Sequence, residues 1–559
     1  MTATETTRLD RIIAAVAPRL ALRRQQSRTQ AQAMSGLQAE LQRMVGAEGG
    51  TGGLGGVNAN ISGYTSTAGT DPFMGRWMSM PRDAASDTLR QLGTLRAQCR
   101  DLVRNNPIAA SAINTNTVRA IGTGLAYSAQ PHLPTLGWSP DRGREWAAHV
   151  QAEFSIWADN TSCDWEGQQN FYDKQDLTLR AMLESGDVFT LLPDGPPTFE
   201  QPYKLRLQTL EADRCGNPNN VSDTASVAGG VRRAAGQGRA FFIYAQHPGS
   251  IMAGSNRFAG EWVEAIGAKS GRRRLLHHYK LLRPESPRGV PYLAPVVGLF
   301  KLLGTYTDAE VKAAVISAYL TLIIKTPTGT GTAPVFGMSD SHTAAGSSNG
   351  QAQQNLALGP AAVLGLADGE DASVVNPMRP NPEFGAFVQS VLDQLGAGLF
   401  IGSEMLMKKY NTSYVAARAA YLDAWKHLLD MRTVIARTLC QPVLETWMAE
   451  AVAIGRIEAP GFFSDVRMRW AYTRAAWRGD SPGSINPKDE VAAWIAARDG
   501  RLATSEQASW ELYGTDWNDS YPVMFAEHKR MVEDGTLPAP KAGAAAAPEP
   551  PDPAADTDA

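Results

Sequence analysis

Two amphipathic helical patterns with a polar break between them dominate the second half of the chain. Apolar side chains recur at the i, i+3, i+4, i+7 spacing of an α-helix over residues 384–399 and again over residues 415–435. The break between them carries two adjacent cations, Lys408 and Lys409. The pattern therefore predicts a cationic loop, residues 402–412, that joins two helices.

The second of these helices is predicted to be long. Ser413 and the two residues before it offer side-chain oxygens that can cap its N-terminus. Neither glycine nor proline interrupts the apolar pattern before Pro442, and a helical pattern resumes after that proline. A continuous helix from Ser413 to Cys440 would span about 42 Å at 1.5 Å per residue.

Helical and strand-like blocks alternate through the rest of the chain. Between Asp187 and Tyr244, short runs of β-branched and aromatic residues are separated by Pro, Gly and Asn, which predicts an antiparallel sheet. Strand-like pieces surround a polar insert within residues 321–375. This mixture predicts the fold class α+β. Further helices are predicted over residues 83–104, 109–121, 144–157, 295–320 and 487–498.

The composition is that of a folded chain without a strong charge bias. Hydrophobic residues make up 43% of the 559, and 53 Lys and Arg stand against 56 Asp and Glu, a net charge of −3. This balance argues against a protein that coats nucleic acid over its whole surface, although local basic sites stay possible. The four cysteines lie far apart, which is typical of a reducing compartment without disulfides. No apolar run approaches the ~20 residues that a membrane helix needs, and the N-terminus lacks the layout of a signal peptide.

No motif for catalysis, cofactor binding or metal binding fits its context. Gly50, Gly52 and Gly55 spell GxGxxG, but no strand precedes them and no helix follows, so a glycine-rich linker is the better interpretation. P-loop, HExxH and GxSxG motifs are not found in the sequence. His277 and His278 are adjacent, and neighbouring strand residues point to opposite faces, so we predict a surface or loop pair and no metal site. We predict no catalytic residue and no cofactor.

Six groups of segments, in this order, resemble characteristic blocks of the lambda-like portal proteins of tailed bacteriophages. They span about residues 102–517, and the first ~80 residues and the tail lie outside the resemblance. The segments are LVRNNPIAASAI with IGTGL (from Leu102), CDWEGQQNF with SGDVFTLL (from Cys163), LQTLEADR with GGVRRAAGQGRAFFIYAQHPG (from Leu207), RPESPRGVPYLAPV with YTDAEVKAA (from Arg283), NTSYVAARAAYLDAW (from Asn411) and INPKDEVAAWIAARDGRLAT (from Ile485).

The resemblance implies a portal fold, α+β and ring-forming, and a division of the chain into named parts. These parts are a flexible N-terminal arm with one helix (1–82), a wing of helices plus antiparallel sheet (83–290), a first stem helix (291–320), a small α/β clip (321–380), a second stem helix (381–401), a tunnel loop (402–412), a long wing helix (413–470), a helical crown region (471–536) and a disordered tail (537–559).

The resemblance also implies a function and partners. A portal is a non-enzymatic ring, usually of twelve subunits, at one vertex of the capsid in the virion, and it is made in the host cytoplasm. Double-stranded DNA is packaged and ejected through its channel without sequence-specific contacts. The implied partners are further copies of the chain, the terminase large subunit and head-completion or adaptor proteins at the clip, and the major capsid protein and possibly a scaffold at the wing, with no membrane.

Within this interpretation the tunnel loop adds a narrow cationic band to the channel. A uniformly basic wall would grip DNA, because phosphate contacts are cumulative, whereas two lysines per subunit would contact phosphates without reading bases. The alternative is that both lysines are solvent-facing cations favoured at a helix C-terminus. The residues predicted to face DNA are Met405, Lys408, Lys409, Tyr410 and Asn411.

Two other functions stay open on the sequence alone. One is a DNA- or nucleotide-processing enzyme with unfamiliar motifs, and the other is a bacterial ring-forming pore. The enzyme would turn over nucleotides as an isolated protein, whereas a portal relies on the ATPase of the terminase. The missing P-loop and the missing membrane-length segment favour the portal over both.

Overall fold

The computed structural model describes residues 81–232, 239–252, 254, 256–319, 323–325, 371–373, 384–410, 413–483 and 487–536. The chain divides into two compact units, Met1–Pro81 and Arg82–Ala559, and all the elements below belong to the second. The predicted N-terminal arm, most of the predicted clip, Asn411 and the C-terminal tail lie outside the described residues.

About half of the described residues are helical, and the helical patterns in the sequence predicted the long helices with ends shifted by a few residues. Ser413 caps the long helix as predicted, since its Oγ accepts a hydrogen bond from Ala416 N at 3.4 Å. The helices are α1 (Ala84–Asn105), α2 (Pro107–Ala120), α3 (Leu133–Leu136), α4 (Pro140–Ala158), α5 (Phe171–Ser185), α6 (Val297–Tyr319), α7 (Phe384–Gly398), α8 (Ser403–Met407), α9 (Tyr414–Ile435), α10 (Gln441–Ala453), α11 (Val466–Thr473), α12 (Pro487–Asp499), α13 (Ser505–Tyr513) and α14 (Trp517–Glu533).

The strands named below all pair antiparallel, which confirms the antiparallel sheet predicted between Asp187 and Tyr244. One sheet has the order β3-β2-β8 and another has the order β4-β5-β6-β7. Two-stranded pairs are formed by β1 with β11 and by β9 with β10. The strands are β1 (Ala126–Ala129), β2 (Asp187–Leu191), β3 (Gln208–Glu211), β4 (Val227–Ala228), β5 (Val231–Arg232), β6 (Ala240–Tyr244), β7 (Gly260–Glu264), β8 (Leu275–Tyr279), β9 (Ile323–Lys325), β10 (Asp371–Ser373) and β11 (Ala475–Arg478).

An aromatic cluster joins the N-terminal helices to α10. Phe154 on α4 lies edge-on to Trp447 on α10, with ring centroids 5.0 Å apart, and edge-on to Phe171 on α5 at 5.7 Å. Such pairs add ~0.5–1.5 kcal/mol to the gain from burying their area. The four cysteines, Cys99, Cys163, Cys215 and Cys440, are buried and unpaired.

The long helix does not run unbroken to Cys440 as predicted. It is α-helical to Ile435, and a single π turn, Ala436–Cys440, then joins it to α10. Pro442 lies in the first turn of α10. Proline lacks the N–H of an α-helix hydrogen bond and its ring clashes with the preceding turn, so a wider π turn before it lets the helical path continue.

A buried ion cluster centred on Asp187 holds the sheet to α1. The carboxylate accepts hydrogen bonds from Arg96 at 2.6 Å, from Arg288 Nε at 2.5 Å and from His277 Nε2 at 3.0 Å. Burial alone would raise the pKa of Asp187, but the guanidinium groups of Arg288 and Arg96 outweigh it and hold that pKa well below its usual range. Asp187 is therefore ionised in the folded chain at all ordinary pH values.

The prediction that His277 and His278 form a surface or loop pair was wrong. Both lie on β8, where His277 stacks on Phe189 with ring centroids 4.5 Å apart and His278 bonds to Thr190 at 2.9 Å. Burial lowers the pKa of His277 and lowers that of His278 to about 3, so both rings are neutral at pH 7. The two rings do contact different residues, as neighbours on a strand should.

Candidate functional site

The polar break between α7 and α9 is a folded turn–helix–turn that contains α8. Ile401 N donates to Gly396 O at 3.1 Å, and a Cβ on Gly396 would lie only 2.7 Å from Ile401 O, so this turn requires glycine. The carbonyl of Gly402 then accepts bonds from the backbone N–H groups of Met405 and Leu406, each at 3.0 Å, and starts the short helix. The predicted loop therefore has a defined backbone in its first half.

The two predicted lysines end α8 and project from it. Lys408 has a φ of +53°, in the left-handed region, and its N–H bonds to Glu404 O. Lys409 N donates to the same carbonyl at 3.0 Å. A left-handed lysine costs roughly 1 kcal/mol, which the buried residues before it must offset. Both side chains are exposed, and no carboxylate of the described residues forms an ion pair with either ammonium.

One face of α8 is fixed in the protein interior. Met405 is only 3% exposed and Leu406 is 1% exposed. Ser111 on α2 donates its hydroxyl to Leu406 O at 2.7 Å, and the Tyr292 hydroxyl donates to Leu399 O. Met405, which the sequence placed among the residues facing DNA, is therefore a buried anchor. A five-residue amphipathic helix must bury one side to stay in place, and this side carries Met405.

The exposed side of the break brings together three of the five predicted residues. Lys408, Lys409 and Tyr410 follow one another, and the Tyr410 side chain is 54% exposed. Met407 is half exposed beside them. Asn411 lies outside the described residues. The arrangement offers two free ammonium groups next to an aromatic ring, which suits contacts with phosphate oxygens and has no catalytic geometry.

A histidine that the sequence did not single out supports the turn before α8. His427 on α9 stacks with Phe400, whose φ is +54°, at a centroid distance of 5.5 Å, and with Tyr292 at 5.9 Å. Burial lowers the pKa of His427, and the nearby ammonium of Lys280 lowers it further. A neutral ring thus bridges the long helix to the turn. Its only sequence signal was a lone histidine in an amphipathic helix.

The helix α7, which leads into this site, and the helix α6, which packs against it, leave much apolar surface uncovered. On α6, Tyr306 contacts Phe384 and Phe387 of α7 with ring centroids 5.7 and 5.0 Å apart. Leu302 and Val311, also on α6, are 69% and 61% exposed. Asp308 and Lys312 form the i, i+4 pair expected from their spacing, at 3.7 Å. A helix that is apolar on several faces is typically covered by a further protein surface.

Metal and cofactor chemistry has little support among the described residues. Glu211, Asp213 and His247 are the one group there whose ligand atoms lie close enough to share a metal ion. Arg100 and Arg96 already form ion pairs with Asp213, and a guanidinium beside the carboxylate repels a cation. No helix in this part of the chain is both long and apolar enough to cross a membrane.

Comparison with known proteins gives consistent matches. The family profile described as phage portal protein, lambda family, matches residues 70–432. The chain is 25% identical over 467 residues to a portal protein of Escherichia phage N15, covering 78% of this chain and 83% of the relative. It is 23% identical over 458 residues to portal protein B of Escherichia phage lambda, covering 78% and 82%.

A solved structure described as the neck of a native gene transfer agent particle computed with C12 symmetry is a more distant match. It is 11% identical to the chain, with a TM-score of 0.43, and the alignment covers 75% of this chain and 92% of that one.

Proposed function

The chain belongs to the lambda family of phage portal proteins, and on this premise we propose how its parts serve a portal. The family profile covers residues 70–432, more than half of the chain, and this match carries the functional conclusion. The protein is a portal protein of a tailed bacteriophage: a structural, non-enzymatic connector at the capsid vertex of the virion. The ring, the channel contacts and the docking roles below are proposals.

We propose that copies of the chain, twelve in number, close into a ring through the apolar surface left uncovered in the single chain. Leu302 and Val311 on α6 and Phe387 on α7 support this, because large exposed apolar side chains on both helices favour burial against a neighbouring subunit. Tyr521 and Phe525 form a second exposed pair on α14. A ring interface that uses both regions would bury apolar surface at α6 and α7 and again at α14.

We propose α6 and α7 as the two stem helices, with the clip between them in residues 321–380. The clip would receive the terminase large subunit during packaging and head-completion or adaptor proteins afterwards. The wing would contact the major capsid protein and a scaffold, and α9 with α10 would form its long helix. Because β11 pairs with β1, we move the end of the wing from residue 470 to Arg478, so the helical crown begins at α12.

The ring is tested by negative-stain electron microscopy of the purified protein. We expect closed rings of about twelve subunits with a central hole, since family members form closed rings and a closed symmetric interface buries the apolar stem surface in every copy. A stable monomer at micromolar concentration would refute the ring. Mass measurement in solution gives the subunit number independently of the images.

We propose that the tunnel loop, residues 402–412, touches DNA phosphates through Lys408, Lys409 and Tyr410. Changing Lys408→Ala and Lys409→Ala together removes two charges per subunit while leaving the buried face of α8 in place. We expect rings to assemble normally and DNA-filled particles to lose DNA several-fold faster, because phosphate contacts through lysine are cumulative and sequence-independent. Packaged DNA length and retention over time are the measurements.

A matched control for the lysine pair removes the same charge elsewhere. Lys269 and Lys529 are exposed; Lys269 lies in the turn between β7 and β8, and Lys529 lies on α14. The Lys269→Ala, Lys529→Ala protein should retain DNA like the unmodified protein. Equal retention in both double variants would leave Lys408 and Lys409 as ordinary surface lysines at a helix end.

A further inference from the structure

A cavity of about 550 Å³ lies away from the tunnel loop, between α9, β11 and α13. Three tryptophans line it, one from each of these elements: Trp425, Trp477 and Trp510. Arg432 and Arg478 complete the wall, with the Arg432 guanidinium 5.4 Å from the centre of the Trp425 ring. Aromatic side chains combined with a few cationic groups are typical of the lining of a ligand-binding pocket.

Two buried donors at this wall have no acceptor among the described residues. They are Arg478 Nη1 and Trp510 Nε1. The Arg478 guanidinium lies over the Trp510 ring, 4.9 Å from its centroid, and only its Nη2 is paired, to Glu506 at 2.5 Å. By contrast, Trp477 Nε1 donates to Gln441 at 3.3 Å. A buried donor without an acceptor is destabilising, so an acceptor that reaches both would be bound favourably.

We propose that this cavity binds the proline-rich segment Pro548–Pro553 of the chain's own C-terminal tail. Proline-rich segments bind in aromatic-lined grooves, where their exposed backbone carbonyls accept hydrogen bonds and little conformational entropy is lost. An indole N–H with no acceptor, next to two further tryptophans, provides that combination. Binding requires the Arg478 and Trp510 side chains to shift so that their buried donors reach peptide carbonyls.

The sequence of the segment fits a three-sided extended helix. Polyproline II has three residues per turn, so PEPPDP places Pro548 with Pro551 on one edge and Glu549 with Asp552 on another. Pro550 with Pro553 forms the third edge. Two proline edges can therefore face the tryptophans while the acidic edge faces the arginines.

The acidic edge orients the segment more than it strengthens binding. Asp480 and Glu511 also line the cavity and balance the two arginines. The Asp480 carboxylate is directed towards Thr123, from whose Oγ1 it accepts a hydrogen bond at 3.2 Å. The main source of affinity is then the contact of proline with tryptophan, together with the two new hydrogen bonds.

The tail is long enough to return to the cavity. A pocket between α13 and α14 is lined by Ser509, which directly precedes Trp510, and by Trp517 at the start of α14. The 17 residues of α14 carry the chain about 26 Å from that point. The twelve residues from Leu537 to Pro548 span up to ~40 Å when extended, so the segment can reach back along α14.

The test uses fluorescence anisotropy of a labelled peptide of residues 545–556. The receptor is the full-length chain with Pro548, Pro550, Pro551 and Pro553 changed to alanine, so its own tail does not compete. We expect saturable binding, about fivefold weaker when the receptor also carries Trp510→Phe, which keeps an aromatic ring and removes the donor. Trp494→Phe, in the pocket beside α12, is the matched control and should leave binding unchanged.

A second comparison identifies the chain's own tail as the occupant. The unmodified full-length protein should bind the labelled peptide about tenfold more weakly than the four-alanine receptor, because a tethered tail competes at millimolar effective concentration. Equal binding by these two proteins, no saturable binding, or binding insensitive to Trp510→Phe would each overturn the proposal. Binding of adenosine monophosphate with sensitivity to Trp510→Phe, without peptide binding, would instead make the cavity a nucleotide site.

Discussion

Replacing Asp187 by alanine is expected to lower the free energy of unfolding by about 3–5 kcal/mol. The substitution leaves Arg96 and Arg288 buried without their shared carboxylate, and a buried charge that has lost its partner is strongly destabilising. The three backbone carbonyls that Arg288 also contacts, those of Ala212, Cys215 and Gly229, keep the guanidinium in place and prevent escape to solvent. Urea denaturation of the purified chain at pH 7 measures the loss.

The matched control is an ion pair at the surface. Asp194 pairs with Arg272 but its side chain is 55% exposed, so Asp194→Ala should cost less than about 1 kcal/mol. The pH dependence gives a second readout. The pKa of Asp187 is lower in the folded chain than in the unfolded chain, so its contribution is present above pH ~4 and is lost as the pH falls below that. Equal effects of the two substitutions would contradict a structural role for the buried cluster.

Local elements were predictable because their signals lie within a few residues of one another. The helix over 83–104 and the strands between Asp187 and Tyr244 follow from periodicity, and Ser413 was predicted as a cap from its position before an apolar run. Antiparallel pairing followed from short runs joined by turn residues. The family resemblance then supplied what no local signal carries, namely that helices of this order belong to a portal.

The buried cluster had no such signal. Arg96, Asp187 and Arg288 are far apart in the sequence, and each looks like an ordinary surface charge until the fold brings them together. The histidines on β8 were misplaced for the same reason, since nothing near His277 in the sequence marks the carboxylate that it bonds. Contacts between distant residues decide burial, and a single sequence does not show them.

The segment proposed as the tunnel loop was predicted in part and missed in part. Its place between two helices and its exposed lysines followed from charge and periodicity. The inward face of α8 did not, because a polar stretch of this length was interpreted as an irregular loop and Met405 as one of its surface residues. The anchor from Ser111 to Leu406 O, which is nearly three hundred residues away in sequence, fixes that face. Lys408 in a left-handed conformation likewise depends on this anchoring.

A methyl group added at Gly289 is expected to destabilise the fold by about 3 kcal/mol, at the upper end for overpacking. A Cβ there would lie 2.0 Å from the carbonyl oxygen of Gly186 and 2.6 Å from its carbonyl carbon. These are backbone atoms, so no side chain can rotate away. Gly186 has a φ of +89° and ends α5, so the backbone at Gly186 has little freedom to move away from residue 289.

The clash at Gly289 also acts on the ion cluster. Arg288 directly precedes Gly289, and the backbone N of Gly289 donates to the Asp187 carboxylate at 3.4 Å. Gly289→Ala should therefore reduce stability by moving Arg288 as well as by steric strain, which thermal and urea denaturation of the purified chain would measure. Gly93, inside α1, is the control: a Cβ there meets nothing within 4 Å, so Gly93→Ala should stabilise the chain by ~0.5–1 kcal/mol. If the Gly289→Ala protein were as stable as the Gly93→Ala protein, the backbone at Gly289 and Gly186 would be less closely packed than the 2.0 Å distance from the added Cβ to Gly186 O implies. The ion cluster would then not depend on this close contact.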